Sequence, residues 1–475
     1  MQDWNKYPGA RVDSQYPIYA LSIPEVYKTW RWKEEYPGHE ELREYFQHVD
    51  DVLEISKDTI FGQRVVRATF DASRDRWHVE CDSGLIIDTR FFVPCMGFAA
   101  RRHFPAWPGL DSFKGTICHS SFWPKDGIDV RGKRVAVVGT GATGIQIAQT
   151  TARDCDHLTV FQRTPNLCLP MRQTKISPER AEKDMEELDH IMSSRCSQYA
   201  GFLYQSQPIK TFDHSPEERE AFFQKLWDIG GFRMLANNYQ DMLADRTANQ
   251  EAYNFWMKNT RSRISDPAKR DLLVPETPPH PFGGKRMSLE QDFYEQMDKP
   301  HVDIVSIRDN PVDHVVPEGI VTADGKLREF DIIAIATGFD SFTGGLKDIN
   351  ITGLNDTKLN DKWADGTYTY LGMTVADFPN FFFLYGPQAP TAYANGPSIT
   401  EPQGEWVTDV LKRMREAGKT RINATREAEL EWKEQVNALH KRTLRNEVDS
   451  WYMGKLMLEL VCTVDACRML TECRC

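Results

Sequence analysis

The most specific chemistry in this sequence is carried by six consecutive residues that read GTGATG. They directly follow VAVV at 135–138, a run rich in β-branched residues, and lead into the helical pattern IQIAQTTA. In such a strand–turn–helix unit the first glycine allows the tight turn, the second lets the backbone approach a pyrophosphate, and the third lets the helix pack on the strand. The helix N-terminus then offers free N–H groups to the phosphates. This context favours a dinucleotide site over an ordinary glycine loop. The predicted contact residues are Gly139, Thr140, Gly141, Ala142, Thr143, Gly144 and Ile145.

The next strand pattern indicates which dinucleotide fits. It spans 158–161 and is followed by Gln162 and Arg163, at about the twenty-residue spacing that follows such a glycine turn. An NAD site carries an acidic residue there, which accepts hydrogen bonds from the ribose 2′-hydroxyl. A cation suits a 2′-phosphate instead. Gln162 and Arg163 therefore predict NADP, with a solvated surface arginine as the alternative.

A second motif stands immediately before the glycine turn. It has the form F-x-G-x-x-x-H-x-x-x-W-P and comprises Phe113, Gly115, His119 and Trp123, followed by Pro124. Alone, His119 could be a hydrogen-bonded histidine near an interface, and Trp123 could be a core residue. Together, and directly before an NADP-type turn, these residues resemble the fingerprint of the Baeyer–Villiger monooxygenases, the flavoenzymes that insert oxygen beside a ketone.

The resemblance covers roughly 4–454 and implies two cofactors, FAD and NADP. In that family NADPH delivers hydride to the flavin, the reduced flavin reacts with O₂ to give a C4a-peroxide, and the peroxide attacks a ketone to give an ester or lactone. The protein supplies orientation and electrostatic stabilisation. The implied partners are a small-molecule ketone and O₂. Our hypothesis for the pathway is fungal secondary metabolism with a bulky ketone.

Two short segments resemble the catalytic machinery of that family. Lys285 and Arg286 match a lysine that binds the coenzyme phosphate and the catalytic arginine, although tandem basic residues are otherwise surface charge. Asp13 follows a Tyr-Pro-Gly turn and matches the aspartate that faces the flavin and orients the arginine; the alternative is a cap or a solvated charge. Because arginine stays protonated, Arg286 is predicted to stabilise the anionic peroxide and its adduct with the ketone.

The other flavin contacts implied by the resemblance lie near the N-terminus and in the second half of the chain. The sequence NGP at 395–397 predicts a helix N-terminus whose N–H groups face the flavin. The predicted flavin contacts are Trp4, Arg11, Val12, Asp13, Tyr19, Val65 and Gly396.

Both ends of the sequence depart from the family pattern. The strand and glycine loop that hold the ADP half of FAD in relatives do not precede Trp4, and 455–475 matches nothing in the family. We expect either a truncated gene model or a protein without the first βαβ unit. Two alternative functions stay open. One is a flavin monooxygenase that oxidises nitrogen or sulfur, although such enzymes usually lack the Trp123-Pro124 and Lys285-Arg286 pairs. The other is an inactive remnant that binds NADP but no flavin.

Composition excludes several classes of protein. The chain has 475 residues, 40% hydrophobic and 27% charged, which is typical of a globular protein with two or three domains. Its net charge of −11 gives no basic surface for nucleic acid. The sequence shows neither an apolar run long enough for a membrane span nor a signal peptide, so we expect a cytoplasmic protein with reduced thiols. No metal site is predicted, because the clustered C-terminal cysteines fit no zinc spacing; they are Cys462, Cys467, Cys473 and Cys475.

These residues must be positioned by an α/β fold with two dinucleotide-binding, Rossmann-like domains, an antiparallel β meander and a helical insertion. Apolar periodicity predicts a helix over 38–52, meander strands at 65–70, 77–81 and 85–87, a strand at 91–97 returning to the FAD sheet, a strand at 330–339 that includes Ala-Thr-Gly, and helical structure over 406–446. The predicted domains are FAD-binding (1–110 and 339–454), NADP-binding (111–172 and 276–338), the insertion (173–275) and an anomalous tail (455–475).

The insertion is predicted to be helical, charged and aromatic. Ser177-Pro178 is a helix-start signal, and Ser215 with Glu218 forms a capping box. Its aromatic residues are interpreted mainly as core at helical spacing, with the wall of a substrate pocket as the alternative. These residues are Phe222, Phe223, Trp227, Tyr253, Phe255 and Trp256.

Overall fold

The computed structural model describes residues 5–195, 201–204, 206–389 and 394–449. Trp4 and the predicted tail at 455–475 lie outside the described residues. Within these ranges, no helix combines the length and the apolar character needed to cross a membrane.

The secondary structure alternates strands and helices along the chain. The strands are β1 Val65–Asp71, β2 Arg76–Cys81, β3 Ile86–Thr89, β4 Arg101–Arg102, β5 Thr116–His119, β6 Arg134–Val138, β7 His157–Gln162, β8 Leu169–Pro170, β9 Leu289–Glu290, β10 Val302–Ser306, β11 Val312–Val316, β12 Gly319–Thr322, β13 Leu327–Glu329, β14 Ile332–Ile335, β15 Phe339–Asp340 and β16 Asn350–Thr352. The helices are α1 Pro24–Tyr27, α2 His39–Leu53, α3 Ala142–Thr151, α4 Pro178–Ser194, α5 Pro216–Ile229, α6 Arg233–Ala236, α7 Arg246–Arg261, α8 Pro267–Leu273, α9 Phe293–Met297, α10 Gly344–Asp348, α11 Leu359–Lys362, α12 Gly396–Glu416 and α13 Arg426–His440.

A five-stranded parallel sheet carries the predicted nucleotide turn. Its strand order is β10–β7–β6–β14–β5. Residues 135–138 of β6 expose at most 1% of their surface, as expected for a strand that is covered on both faces. β6 continues through the glycine turn into α3, and Ile332 of β14 lies opposite Val135. The predicted strand–turn–helix unit is confirmed, and the strand predicted at 330–339 is confirmed with narrower limits, Ile332–Ile335.

The predicted meander forms a second sheet. β1, β2 and β3 pair antiparallel in sequence order. The short strand β16 joins the free edge of β1 in parallel, with Ile351 opposite Ala68. Three residues are too few to show a period of two, so the sequence pattern did not reveal β16.

The predicted strand at 91–97 is wrong as a regular strand. Among the described residues, this segment contributes a single parallel bridge between Phe92 and Phe381. Pro94 follows two residues later and has no N–H to continue the ladder.

The helical predictions are confirmed with shifted limits. α2 matches the predicted helix at 38–52, and α4 to α8 make up the insertion. Ser215 and Glu218 form the expected reciprocal capping box at the start of α5. The helical structure predicted over 406–446 forms two helices, because a turn with Gly418 at φ +61° follows the end of α12. The first of them, α12, begins ten residues earlier than predicted, at Gly396.

The aromatic residues of the insertion are core residues, as the main interpretation held. Phe222 packs partly exposed against the main hydrophobic cluster. The other members are buried in that cluster; they are Phe223, Trp227, Tyr253, Phe255 and Trp256.

Two connections between the predicted FAD and NADP halves form a small ribbon. β4 and β15 pair antiparallel, with Arg102 opposite Phe339. The ribbon extends through His103, whose N–H donates to the Gly338 carbonyl at 3.0 Å. The two crossing segments are therefore tied to each other.

The N-terminal segment packs directly on α3. The Tyr7 hydroxyl donates to Gln146 Oε1 at 2.9 Å, and Gln146 Nε2 donates to the Arg11 carbonyl at 3.1 Å. Gly9 has φ +77°, and a Cβ added there would lie 2.3 Å from Thr150 Oγ1 on the same helix. The segment that carries Asp13 is thus fixed to the helix that follows the nucleotide turn.

This contact predicts a different cost for two glycine-to-alanine changes. Gly9 and Gly62 both have positive φ, but no described atom lies within 4 Å of a Cβ added at Gly62. Gly62→Ala should cost about 1 kcal/mol for the left-handed backbone. Gly9→Ala should cost about 1–3 kcal/mol more, since it also overpacks the contact with α3. Thermal melts of both variants check this, and equal melting temperatures would contradict the described packing.

Candidate functional site

Asp13 and Arg286 form a bidentate ion pair between segments 273 residues apart. Arg286 Nε donates to Asp13 Oδ2 at 3.0 Å, and Nη2 lies 2.7 Å from both carboxylate oxygens. The side chains are partly exposed, by 20% and 29%. Two parallel charge-assisted bonds fix the plane of a guanidinium. The pair therefore presents an oriented, permanent cation that can stabilise an oxyanion.

An aromatic ring supports the cation of this pair. The Arg286 guanidinium lies 5.2 Å from the centroid of the Phe232 ring, and Phe232 is 3% exposed. Phe232 follows Gly230 and Gly231, both at positive φ, which turn the chain between α5 and α6. The insertion therefore contributes directly to the site, at a phenylalanine that showed no helical spacing in the sequence.

A buried polar network lies beside Asp13 and was missed by the sequence motifs. Gln15 Oε1 accepts a hydrogen bond from the Tyr204 hydroxyl at 2.9 Å and one from Arg233 Nη1 at 3.4 Å. The Arg233 guanidinium also lies 5.4 Å from the Tyr204 ring centroid. Burial raises the pKa of Tyr204 to about 12, and the Asp13 charge also contributes to raising it. The network ties the Asp13 loop to the insertion.

The glycine turn has the geometry that a pyrophosphate requires. Gly139 has φ +104°, and a Cβ there would lie 2.6 Å from the Ala336 carbonyl oxygen. A Cβ at Gly144 would lie 2.0 Å from the Gly139 carbonyl oxygen. At Gly141, which is exposed, no described atom lies within 4 Å of an added Cβ. Gly139 and Gly144 thus permit the tight turn, and Gly141 leaves room for a phosphate to approach the backbone.

The other predicted turn residues lie around this open side. Ala142 is exposed at the start of α3, and Ile145 is fully buried beneath it. The Thr140 hydroxyl donates to the Thr164 carbonyl at 2.8 Å. The Thr143 hydroxyl lies 3.4 Å from the Tyr7 hydroxyl.

Cations gather beside the turn. Arg163 is exposed just beyond the end of β7, and Lys285 is partly buried nearby. Burial lowers the pKa of Lys285, and the charges of Arg163 and Arg308 lower it further, while Asp449 acts in the opposite direction. Gln162 is buried, and its side-chain amide donates to the Leu272 carbonyl at 2.8 Å, which directs that side chain to the insertion.

Consecutive residues in one loop therefore face two different sites. Lys285 lies with the cations at the nucleotide turn, while Arg286 pairs with Asp13. This loop brings the two predicted sites next to each other.

The predicted flavin-side residues occupy several environments. Arg11 pairs with Glu34 at 3.1 Å. Val12 and Tyr19 pack on the hydrophobic cluster that contains Tyr45, and Val65 packs on the core of the meander sheet. Their side chains do not converge on one point in the way that Asp13 and Arg286 do.

The N-terminus of α12 is open at Gly396. No described atom lies within 4 Å of a Cβ added there. The preceding Asn395 donates through Nδ2 to the Ile18 carbonyl at 2.7 Å, and its buried Oδ1 finds no partner among the described residues. A helix of this length with an uncapped N-terminus can hold an acceptor or a partly negative group.

His119 of the fingerprint sits where the two connecting segments meet. His119 is 2% exposed and accepts at Nδ1 from the Ser121 N–H at 3.3 Å, which leaves Nε2 to donate to the Gly338 carbonyl at 3.2 Å. Burial lowers the pKa of His119 and keeps the ring neutral.

The other fingerprint residues are spread along β5. Phe113 and Trp123 are buried in two different hydrophobic clusters, and a Cβ at Gly115 would lie 2.5 Å from the Asp331 carbonyl oxygen, at the end of β5 opposite to His119. Of these residues, the hydrogen bonds place His119 at the crossing of the two connections.

Metal chemistry finds no support in the described part of the chain, which holds no group of three or more His, Cys, Asp or Glu residues that could bind an ion. The clustered C-terminal cysteines lie outside the described residues.

Comparison with known proteins identifies close relatives. The pattern of the flavin-binding monooxygenase-like family matches residues 12–181. The FAD-binding monooxygenase acrE of Aspergillus aculeatus is 41% identical over 451 residues, which cover 95% of this chain and 76% of acrE. Cyclopentanone 1,2-monooxygenase of a Comamonas species is also 41% identical over 451 residues, with 95% and 82% coverage.

A solved structure has the same fold. OTEMO, crystallised with FAD and NADP, superposes with a TM-score of 0.95 at 34% identity and covers 99% of this chain and 90% of its own. This likeness confirms the predicted fold class, an α/β protein with two dinucleotide-binding domains.

The lowered pKa of Lys285 predicts how anion binding depends on pH. The lysine attracts a phosphate only as a cation, so affinity for 2′,5′-ADP should be full at pH 7. It should fall as pH rises through the lowered pKa, below the ordinary 10.5. Losing this one charge should weaken binding about tenfold.

Calorimetric titrations between pH 7 and pH 10 measure this dependence. Lys285→Arg should remove it, since arginine stays charged. The control is Lys57→Met, because Lys57 is exposed and pairs with Glu54. An affinity of the unmodified protein that stays constant to pH 10 would contradict the assignment.

Proposed function

This chain belongs to the Baeyer–Villiger monooxygenases, a group of flavin-binding monooxygenases, and on that premise we propose how its residues convert a ketone to an ester or lactone with NADPH and O₂. The observation that carries the proposal is the bidentate pair of Asp13 and Arg286, set beside a nucleotide turn. The pair supplies an oriented cation next to the turn where NADPH would bind.

The residues present fit NADPH. The turn at 139–144 leaves its Gly141 side open for a pyrophosphate, and α3 directs free N–H groups to it. Arg163 and Lys285 place positive charge at the end of the adjacent strand, where the ribose of a dinucleotide lies. Their charges suit the 2′-phosphate that distinguishes NADPH from NADH.

The residues present also fit the reactive part of FAD. The uncapped N-terminus of α12 at Gly396 suits the ring edge that becomes negative on reduction. The segment from Arg11 to Tyr19, which carries Asp13, would line the other side. Bound FAD supplies the acceptance of hydride from NADPH and the activation of O₂.

Arg286 is the group that we assign to the oxygenation step. As oxygen is transferred, negative charge develops on the carbonyl oxygen of the ketone, and a fixed guanidinium stabilises it without reorganising. Asp13 holds the guanidinium plane through two bonds, and Phe232 supports its face. In this proposal the ketone lies against the guanidinium that Asp13 and Phe232 hold in place.

The fingerprint residues have a mechanical role in this proposal. His119 hydrogen-bonds across to Gly338, in the ribbon formed by β4 and β15. The proposed FAD and NADP domains meet there, near the predicted boundaries at 110 and 338. His119 and Trp123 would therefore transmit movement of the NADP domain between hydride transfer and oxygenation.

The ketone activity predicts a specific isotope result. Purified protein supplied with FAD, NADPH and ¹⁸O₂ should convert a ketone from a panel of small cyclic and bulky compounds, with cyclopentanone as the first member. The ester or lactone should carry one ¹⁸O atom, as detected by mass spectrometry, and product should depend on NADPH. Sulfoxide formation from a thioether without an ester or lactone from any ketone would contradict the proposal and favour the nitrogen- or sulfur-oxidising alternative.

Changes to the ion pair should reduce the rate more than binding. Arg286→Ala should lower kcat by about 10²–10³-fold, the range seen when one oxyanion donor is removed. Asp13→Asn keeps the shape but not the charge, and it should lower kcat while changing the NADPH dissociation constant by less than about threefold.

The matched control is Arg131→Ala, because Arg131 is exposed and pairs with Asp129, two residues earlier in the chain. Normal kcat in Asp13→Asn would show that the carboxylate does not position the arginine.

A further inference from the structure

Arg308 lies just past the end of the strand next to the one that Arg163 follows, one residue beyond the position opposite Arg163. β10 and β7 run parallel with Ser306 opposite Gln162, and the Ile307 N–H donates to the Gln162 carbonyl at 2.8 Å. Arg163 follows β7 by one residue, and Arg308 follows β10 by two. Both arginines are exposed. Adjacent parallel strands therefore deliver a cation each to the same sheet edge, which is where α/β sheets bind ligands.

A hydrogen-bond chain links Arg308 to the glycine turn. Arg308 Nη2 donates to Thr164 Oγ1 at 3.0 Å. The carbonyl of Thr164 accepts from the Thr140 hydroxyl at 2.8 Å. Thr164 therefore binds both Arg308 and Thr140 of the glycine turn. These two hydrogen bonds direct the Arg308 guanidinium to the nucleotide site.

The charges around Arg308 are not neutralised by nearby carboxylates. Within the described residues, none of Arg163, Lys285 and Arg308 forms an ion pair with a carboxylate, although Asp449 partly offsets the effect on Lys285. Three like charges at one place repel each other, and a dianion placed among them removes that repulsion. A phosphate monoester carries a charge near −2 at pH 7.

We propose that Arg308 determines coenzyme specificity by binding the 2′-phosphate of NADPH together with Arg163 and Lys285. The inference rests on the proposed function only in taking NADPH as the ligand. Arg308 does not touch the reacting atoms, so it sets which coenzyme binds and leaves the oxygenation step alone. Its guanidinium offers two donors in one plane, which suits a phosphate better than a single ammonium does.

The test compares ligands with and without the 2′-phosphate on the full chain. Calorimetry should show that Arg308→Ala binds 2′,5′-ADP about tenfold more weakly, as for one charge-assisted contact. Binding of 5′-ADP, which lacks the 2′-phosphate, should change less than about twofold. The affinity of Arg308→Lys for 2′,5′-ADP should lie between those of the unmodified protein and Arg308→Ala. The affinity of Arg131→Ala should equal that of the unmodified protein. Equal loss for both ligands, or no loss for either, would overturn the proposal.

Steady-state kinetics separate this inference from the proposed function. If ketone oxygenation occurs, Arg308→Ala should raise KM for NADPH about tenfold and leave kcat and the KM for NADH unchanged. Selective loss of 2′,5′-ADP binding without any oxygenation of a ketone would support Arg308 and contradict the proposed function. Oxygenation with unaltered preference for NADPH in Arg308→Ala would contradict the inference alone.

Discussion

The ion pair between Asp13 and Arg286 is the contact on which the rest of the site depends. Two parallel bonds leave the guanidinium little freedom, so both loops must arrive within a few tenths of an ångström of their positions. Lys285 precedes Arg286 and must at the same time face the cations of the nucleotide turn. One loop therefore links the cations at the nucleotide turn to the ion pair, which are the coenzyme-phosphate site and the oxygenation site that we propose.

Two sets of contacts hold the Asp13 loop in place. On one side, Tyr7 and Gln146 attach the N-terminal segment to α3, the helix that begins at the glycine turn. On the other side, Gln15 is held by Tyr204 and Arg233 of the insertion. The insertion thus has a role beyond burying aromatic rings, because its residues Tyr204 and Arg233 hold the loop that carries Asp13.

Local rules explain what could be predicted from the sequence. The glycine spacing, the β-branched strand and the Ser215 capping box each act within a few residues, and the structure has all three. The resemblance supplied the pairing of Asp13 with Arg286, which no local pattern contains. Phe232 and Arg233 could not be predicted, since their contacts depend on how the insertion packs. Arg308 could have been predicted from its position just past a strand that runs parallel to β7. The strand predicted at 91–97 did not form, because Pro94 prevents the ladder that the apolar run alone would favour.

The visible spectrum of the purified chain, incubated with FAD and then separated from unbound FAD, is the decisive measurement when it is recorded before and after anaerobic addition of NADPH. We expect a yellow protein whose absorbance bleaches with NADPH, because the proposed sites for both nucleotides meet at the loop with Lys285 and Arg286. A protein that binds NADPH yet stays colourless, or one that stays yellow after NADPH, would contradict it.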